Sequence, residues 1–392
     1  MRFSRFVDFI TLPFSNDLIP MSKNQNIVIV GGGNGGLTAF NALYDVLDAS
    51  KFNLTLITTR PFFTHLPGSL RMIATEEGKL EETVLMPYPT ERFNKGNKKL
   101  VIGKVTSVVS SGEKGGHVSL ETGEEVPFHV LILAPGSLWE GPLSFPNAQD
   151  EAVKTIKETR SRFANAKDIV LAGGGSIGIE LAGELKDLGG GKNITIVHSQ
   201  DLLLNDAYPR KWRQKATKSV TDRGVNVILE DYIDDLEIKD GKITTRKGKS
   251  ITADIVMPTR GPRPNTKFLE SLGSDVLASN GYVNVLPTLQ VKGHPNIFAL
   301  GDAIEWKEQK QAGKVGNHAA VVLANVLATL GVSKKALVNY KGSNEMIVIT
   351  NGKNGGIGYF NVLWGITLGN RMSSMIKSKS LFIAMTKDAL KL

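Results

Sequence analysis

Two stretches of the chain share the pattern Gly-x-Gly-x-x-Gly, each directly behind a short apolar run. The six glycines are Gly31, Gly33, Gly36, Gly173, Gly175 and Gly178. In this pattern the first glycine permits a tight turn, the second lets the backbone approach a pyrophosphate, and the third lets the following helix pack on its sheet. One such pattern is weak evidence for a nucleotide site, but two in one chain predict two bound dinucleotides. A protein that holds two dinucleotides commonly passes a hydride between them, which favours FAD and NAD(P)H.

Two βαβ units are needed to position these glycines. The first unit has a strand at 27–30, a helix at 35–46 and a strand at 53–58, and a second unit repeats this order from residue 168. We therefore predict an α/β fold with two Rossmann-like, three-layer dinucleotide-binding domains and a short C-terminal region. The stretch 100–109, with glycine-rich sequence behind it, reads as hairpin strands.

The order of these patterns along the chain predicts a domain that is interrupted by another domain. We expect an N-terminal extension at 1–23, an FAD-binding domain in two parts at 24–145 and 259–335, an NAD(P)H-binding domain at 146–258, and a C-terminal region at 336–392. The C-terminal region is a candidate for the segment that faces a membrane or the quinone.

Composition narrows the chemistry that is open to the protein. The chain has 392 residues, of which 41% are hydrophobic and 22% charged, and it carries a net charge of +9 and no cysteine. The lack of cysteine excludes disulfide frameworks, thiolate metal sites and a redox-active dithiol, and we expect no metal site. Residues 1–20 make a poor secretory signal and a weak transit peptide, so we expect a cytoplasmic protein, peripheral on a membrane or mitochondrial as alternatives, and not a secreted one.

Four further residues stand where the predicted strands and helices would meet a cofactor. The second strands of the two units end near Arg60 and His198, and neither end carries the acid that selects a bare ribose, so NADH and NADPH both stay open. Asp302 ends a buried strand and could accept hydrogen bonds from polyol hydroxyls, or else cap a helix. His318 lies on a helical stretch and could reach a flavin ring, although a lone histidine there is more often structural.

Five motifs together resemble one family of flavoproteins. They are Gly31-Gly32-Gly33-Asn34-Gly35-Gly36, Ala134-Pro135-Gly136, Gly173-Gly174-Gly175-Ser176-Ile177-Gly178-Ile179-Glu180, Ile297-Phe298-Ala299-Leu300-Gly301-Asp302 and Lys377-Ser378-Lys379-Ser380-Leu381-Phe382. The set resembles the two-dinucleotide oxidoreductases of glutathione-reductase-like fold, and within them the apoptosis-inducing-factor-like branch with its ferroptosis-suppressor type. The type II NADH dehydrogenases are similar at a greater distance.

This resemblance implies where the two cofactors bind. It implies FAD on the first glycine loop and at Asp302, the nicotinamide nucleotide on the second loop, and the stretch 63–67 under the isoalloxazine ring. The cofactor-binding residues that we expect are Gly31, Gly33, Asn34, Gly35, Gly36, Arg60, Pro67, Val105, Ala134, Gly136, Gly173, Gly175, Ser176, Gly178, His198, Gly261, Asp302 and His318. Glu180 matches an acid close to where nicotinamide meets flavin, and Lys377 is the candidate for a positive group near the flavin pyrimidine; these two are the expected catalytic residues.

The function that we predict is an FAD-dependent NAD(P)H oxidoreductase that passes electrons to a quinone-type acceptor. A flavoprotein monooxygenase is one alternative. An apoptosis-inducing-factor-like signalling or nucleic-acid-binding flavoprotein with minor redox activity is another, which the lack of a long basic run disfavours. A homodimer is a further open possibility.

The C-terminal tail is predicted to be an amphipathic helix. Leu381, Met385, Ala389 and Leu392 recur at helical spacing, and basic residues dominate the stretch 365–392. Such a helix suits peripheral contact with anionic lipid. The alternative is a helix that packs on the FAD-binding domain with a solvated basic face.

Overall fold

A six-stranded sheet carries the first glycine motif. The computed structural model describes residues 24–392, so the predicted extension at 1–23 lies outside the described residues. In spatial order the strands are Gln290–Val291, His294–Ala299, Val130–Leu133, Gln25–Val30, Phe52–Thr58 and Lys98–Ile102. All neighbours pair in parallel except the edge pair Gln290–Val291 and His294–Ala299. Strands buried on both faces need apolar residues throughout, which explains the continuous apolar run before the motif.

Helices and a small antiparallel sheet cover the six-stranded sheet. The helix Asn34–Tyr44, which follows the glycine motif, packs against the helix Val315–Thr329. The antiparallel sheet consists of Val105–Ser110, Gly116–Leu120 and Glu125–Phe128.

The prediction of hairpin strands over 100–109 is wrong in its first half. Lys98–Ile102 pairs in parallel with Phe52–Thr58, and only Val105–Ser110 forms a hairpin, with Gly116–Leu120. The boundary lies at Gly103, whose N–H donates to the carbonyl of Thr58 before the chain leaves the sheet. A parallel partner brought from a distant part of the sequence leaves no local signal, whereas a hairpin does.

A four-stranded parallel sheet carries the second glycine motif. Its spatial order is Asn226–Ile228, Asn193–Val197, Asp168–Ala172 and Ile255–Pro258. The helices of this part are Gln149–Asn165, Ser176–Asp187 and Arg210–Thr221. The two parallel sheets have separate apolar cores, and the helix Leu66–Ala74, although it comes from the first half of the chain, packs into the second core. The predicted α/β fold with two Rossmann-like domains is confirmed.

Shorter elements connect these two parts. They are the strand pairs Phe62–Thr64 with Leu85–Pro87, Ser137–Leu138 with Arg263–Pro264 and Lys242–Thr244 with Ser250–Thr252, and the helices Glu81–Val84 and Thr90–Phe93. Across residues 24–392, no helix combines the length and the apolar character that a bilayer crossing requires.

The C-terminal region adds a third, antiparallel sheet. Its strands are Met346–Thr350, Gly356–Phe360 and Ile366–Leu368, and the Trp212 indole donates to the carbonyl of Gly358 at 3.0 Å. The helix Asn370–Ser373 follows and continues into a π-helical turn, Ser374–Ser378. The last helix is Ile383–Leu390.

The predicted apolar stripe of the tail, Leu381, Met385, Ala389 and Leu392, is wrong at Met385 and Ala389, which are exposed, whereas Leu392 does pack against the core. Leu381 precedes the last helix in a left-handed conformation, and Met385 is 60% exposed. Ile383 and Leu390 instead face the core around the six-stranded sheet, and the Asn41 amide donates to the carbonyl of Leu390 at 2.9 Å. The structure therefore supports the alternative, a tail helix that packs on the first domain.

Candidate functional site

The first glycine motif forms a tight turn between the strand Gln25–Val30 and the helix Asn34–Tyr44. Gly31 has a φ of +114°, and a Cβ there would overlap the carbonyl oxygen of Ala134. A Cβ on Gly36 would overlap the carbonyl oxygen of Gly31 in the same way. The backbone of the protein therefore requires these two glycines.

The second motif repeats this arrangement between Asp168–Ala172 and Ser176–Asp187. Gly173 has a φ of +133°, and a Cβ there would lie 2.6 Å from the carbonyl oxygen of Thr259. A Cβ on Gly178 would overlap the carbonyl oxygen of Gly173. The two loops therefore have the same construction, although they belong to different sheets.

No contact or backbone angle among the described residues requires glycine at the middle positions, Gly33 and Gly175. A Cβ built on either has no atom of the described residues within 4 Å, and their φ values of −79° and −74° suit any residue. A pyrophosphate lying against the loop does explain the missing side chain. Asn34, with Gly35 behind it, and Ser176 open the two helices, whose free N–H groups and dipoles favour an anion. The two loops thus fit the phosphates of FAD and of NAD(P)H.

The turn after the strand Val130–Leu133 lies against the first glycine motif. Besides the contact of Ala134 with Gly31, the Ala134 side chain lies 3.2 Å from the position of a Cβ on Gly35. Gly136 has a φ of +66°, and no described atom lies within 4 Å of its Cβ position. The structure therefore brings Ala134 against the first loop, and Gly136 follows in the same turn.

Four more of the predicted residues are placed as follows. Arg60 donates to the carbonyl of Phe145 at 2.7 Å, which fixes its guanidinium to the protein. Pro67 lies in the first turn of a helix, and Val105 is a buried residue that begins a strand of the antiparallel sheet. Gly261 has no described atom within 4 Å of its Cβ position.

Asp302 lies at the end of the strand His294–Ala299, next in space to the turn at Gly136. It sits inside the short 3-10 turn Gly301–Ala303 and not at a helix N-cap. Burial raises the pKa of its carboxyl, and the Ser137 hydroxyl, 3.1 Å from Oδ2, opposes that shift. A half-buried carboxyl in this position is suited to hydrogen bonds with the hydroxyl groups of a polyol.

His318 supports the loop that carries Asp302. Its Nδ1 accepts a hydrogen bond from the Gly301 N–H at 3.1 Å, and its Nε2 lies 2.8 Å from Oε1 of Glu308. The Tyr340 hydroxyl donates to the other oxygen of Glu308 at 2.8 Å. Both ring nitrogens of His318 therefore bind the protein, and the buried ring positions the backbone at Gly301.

Glu180 and Lys377, the two expected catalytic residues, are in direct contact. Lys377 Nζ lies 2.6 Å from Glu180 Oε1, and that oxygen also accepts a hydrogen bond from the Thr350 N–H at 2.9 Å. Lys377 Nζ donates as well to the carbonyl of Val348 at 2.9 Å. Glu180 lies on the helix of the second glycine motif, so this ion pair joins the C-terminal region to that helix.

A second ion pair, which the sequence did not reveal, lies one helical turn further along. The Arg71 guanidinium binds both carboxylate oxygens of Glu184 at 2.8 Å and donates to the carbonyl of Ser378 at 2.7 Å. Both side chains are buried. Charged residues in a helix carry no sequence signal of burial, and the spacing between Glu180 and Glu184 was the only available hint.

Tyr88 is another residue that the sequence did not reveal. Its hydroxyl donates to the carbonyl of Gly32 at 2.7 Å, inside the first glycine motif. A Cβ on Gly32 would overlap this hydroxyl. Tyr88 therefore supports the first loop from behind.

His65 lies in the stretch 63–67, which the resemblance places under the flavin. Its Nε2 is 2.7 Å from the carbonyl of Leu381, and its Nδ1 has no hydrogen-bond partner among the described residues. Burial lowers the pKa of the ring. Because a carbonyl only accepts, Nε2 carries the proton and Nδ1 offers a free lone pair. A buried polar atom without a protein partner is a candidate contact for a bound group.

His198 lies behind the second glycine loop. Its Nδ1 accepts a hydrogen bond from the Gly174 N–H at 3.1 Å, and its Nε2 is 3.0 Å from the carbonyl of Leu204. Burial lowers the pKa of this ring too. The neutral ring holds the loop in place and adds no charge that would select or repel a 2′-phosphate.

Comparison with known proteins identifies relatives over most of the chain. A family model described as pyridine nucleotide-disulphide oxidoreductase matches residues 25–324. The FAD-dependent oxidoreductase FVFD30 of Flammulina velutipes is 47% identical over 81% of this chain and 98% of its own length. Ferroptosis suppressor protein 1 of Homo sapiens is 30% identical over 92% of this chain and 94% of its own length.

A solved structure shares the fold. The sulfide:quinone oxidoreductase of Aquifex aeolicus superimposes with a TM-score of 0.71 at 18% identity, over 93% of this chain and 92% of its own length. These relatives confirm the resemblance inferred from the five motifs, together with the two cofactors, FAD and NAD(P)H, that it implied.

Proposed function

The chain belongs to the pyridine nucleotide-disulphide oxidoreductase family, and we propose that this FAD-dependent, pyridine-nucleotide-oxidising enzyme delivers its electrons to a quinone. The observation that carries the choice of acceptor is the complete lack of cysteine. Without a dithiol, no protein group can take up electrons between the flavin and the substrate. A quinone accepts two electrons and two protons directly and needs no such relay.

FAD, when bound, supplies the ring that takes a hydride from NAD(P)H and returns electrons to an acceptor. The protein binds and orients the partners of this transfer. The first glycine loop, supported by Tyr88, and the carboxyl of Asp302, supported by His318 through Gly301, would hold FAD at two ends. The second loop would hold the phosphates of NAD(P)H.

Glu180 and Lys377 have one joint role in this proposal. Their ion pair carries no net charge, so Lys377 mainly fixes the Glu180 carboxylate, and the Thr350 N–H does the same from the other side. Glu180 follows Gly178 by two residues on the same helix, and its carboxylate is therefore held rigidly near the nucleotide loop. A carboxylate fixed in this way can orient the nicotinamide for transfer.

The test is an anaerobic absorbance titration of the purified protein, first with NADH and then with a short-chain quinone. NADH should bleach the flavin spectrum and the quinone should restore it. Glu180→Gln should slow the bleaching at least about tenfold, or about 1.4 kcal/mol in the transition state, because a neutral amide holds neither Lys377 nor the nicotinamide as firmly. Glu158→Gln, an exposed site on another helix, is the matched control and should behave as the wild type.

Two results would overturn the choice of acceptor. One is a bleached spectrum that the quinone leaves unchanged. The other is recovery that needs oxygen and yields a hydroxylated product, which would identify a monooxygenase. Bleaching by NADH that persists in either case would leave the assignment to the oxidoreductase family intact.

A further inference from the structure

The turn between the last two strands of the C-terminal sheet exposes two large apolar side chains. Leu363 is 76% exposed and Trp364 is fully exposed. Both have left-handed φ values, +48° and +70°, which residues other than glycine adopt rarely and at a cost. The backbone of the turn itself therefore holds these two side chains out in water.

The helix that follows this turn extends the apolar surface. The strand Ile366–Leu368 leads directly to the helix Asn370–Ser373, which packs beside it on the same sheet. The exposed apolar residues of this end of the sheet include Leu363, Trp364, Ile366, Met372 and Met375, and we call these five the apolar patch. Isolated exposed apolar residues are ordinary, but a cluster of this kind marks an interaction surface.

The C-terminal region that carries the apolar patch is rich in basic residues. Residues 346–392 contain six lysines and arginines but a single acid, Asp388. Lys353, Lys377 and Lys391 form ion pairs with acids of other elements. Arg371, Lys379 and Lys387 are exposed, and within residues 24–392 they form no ion pair. Arg371 and Lys379 flank Met372 and Met375 along the chain, so this segment presents exposed apolar groups together with positive charge that no ion pair within residues 24–392 neutralises.

We infer that the apolar patch docks on an anionic lipid bilayer. Trp364 and Leu363 would enter the boundary between headgroups and acyl chains, where tryptophan is favoured, and Arg371 and Lys379 would contact lipid phosphates. The charge argues against a second copy of the chain as the occupant, because a twofold contact through this surface would bring two positively charged surfaces together. A projecting turn also suits insertion better than it suits a flat protein interface.

Docking on a bilayer does not require that the electron acceptor is a quinone. It would, however, place the C-terminal sheet close to the membrane in which a lipid-soluble quinone dissolves. The strand Met346–Thr350, whose backbone holds Lys377 and Glu180, is separated from the strand Ile366–Leu368 by one strand. Two strand spacings are about 10 Å. A docked patch would therefore bring the lipid surface to the sheet that contacts the nucleotide-binding helix.

The test is sedimentation of the full chain with phosphatidylcholine vesicles that do or do not contain phosphatidylserine. The wild type should bind the anionic vesicles, and the double variant Leu363→Ser/Trp364→Ser should bind them at least about tenfold more weakly, because it loses the inserted apolar groups. Arg371→Gln/Lys379→Gln should also bind more weakly and should lose salt dependence. The matched control is Leu337→Ser/Val338→Ser, two consecutive residues that are 43% and 41% exposed elsewhere, and it should bind as the wild type.

Flavin content and the rate of bleaching by NADH should be unchanged in all these variants, so a failure of docking is distinguishable from a failure of the proposed function. Equal binding by the wild type and the Leu363→Ser/Trp364→Ser variant would overturn the inference. Failure of the wild type to bind anionic vesicles would also overturn it. A variant that only shifts the oligomeric state in size-exclusion chromatography would also overturn it, in favour of a second copy.

Discussion

Gly175→Ala should weaken nucleotide binding strongly while leaving the fold and the flavin in place. The Cβ position of Gly175 has no described atom within 4 Å, and its backbone, with φ −74° and ψ −171°, suits alanine. Since none of residues 24–392 would contact the new methyl group, we expect it to meet the ligand. Gly178→Ala, three residues away, is the contrasting variant, because its Cβ would overlap the carbonyl oxygen of Gly173.

The magnitudes separate the two variants clearly. Alanine at the N-cap of the helix Ser176–Asp187 costs about 0.5–1 kcal/mol of unfolding free energy, and the loss of glycine's freedom in the unfolded chain offsets part of that cost. A pyrophosphate that is pushed away loses at least two charge-assisted hydrogen bonds of about 1.5–3 kcal/mol each, which weakens binding roughly 100-fold or more. Gly178→Ala instead strains the backbone by about 3 kcal/mol or more and should lower stability itself.

Three measurements decide the matter: urea unfolding, the flavin-to-protein ratio, and an NADH titration of flavin bleaching. Gly175→Ala should unfold almost as the wild type does, keep its flavin and need far more NADH. The equivalent change at the other loop, Gly33→Ala, should unfold almost normally but lose the flavin. An unchanged NADH titration in Gly175→Ala would show that the pyrophosphate does not lie against this loop, and the argument from the empty Cβ position would fail for both motifs.

Three other predictions follow from individual contacts. Because His198 is a neutral support, NADH and NADPH should reduce the flavin with efficiencies within about tenfold, and a thousandfold preference for either would contradict this. Arg71→Ala should lower the unfolding free energy by about 3–5 kcal/mol because it leaves Glu184 buried and unpaired, whereas Arg71→Met/Glu184→Leu should lose much less; equal losses in urea would be the contrary result. Burial lowers the pKa of His65, so the unfolded chain binds more protons there below about pH 6.5 and stability falls on acidification. That fall, measured in urea between pH 7.5 and 5.5, should shrink in His65→Asn, and an unchanged fall would contradict the prediction.

Local patterns were enough to predict the two loops, the strands before them and the helices after them, because each pattern lies within a few consecutive residues. The pairing of Glu180 with Lys377 was out of reach, since 197 residues separate them and ion pairs leave no periodic signal. The pairing of Arg71 with Glu184 could not be predicted for the same reason, because 113 residues separate them. The prediction of hairpin strands at 100–109 failed for a different reason. The sequence correctly indicated strands there but did not indicate which sheet each strand joins.

The helical spacing of apolar residues in the C-terminal tail predicted a helix that begins too early. Leu381, Met385 and Ala389 fit a helical stripe, but Leu381 and Phe382 both take left-handed φ values, +51° and +59°, so the last helix begins only at Ile383. The Leu381 carbonyl is bound by the buried His65 ring, a tertiary contact that fixes this break. A break that depends on a residue 316 positions away cannot be read from local sequence.

The C-terminal region is consequently tied to the helix that follows the second glycine loop. The helix Ser176–Asp187 presents its N-terminus to the predicted pyrophosphate, and Glu180 and Glu184 on the same helix bind Lys377 and, through Arg71, the carbonyl of Ser378. Loss of the C-terminal region would leave the Glu180 carboxylate buried without its cation. A shift of this helix on nucleotide binding would reach the C-terminal sheet through Lys377, which also donates to the carbonyl of Val348, and would reach Ser378 through Arg71. The same sheet carries the apolar patch, so nucleotide binding and docking on a bilayer would act on one structural element.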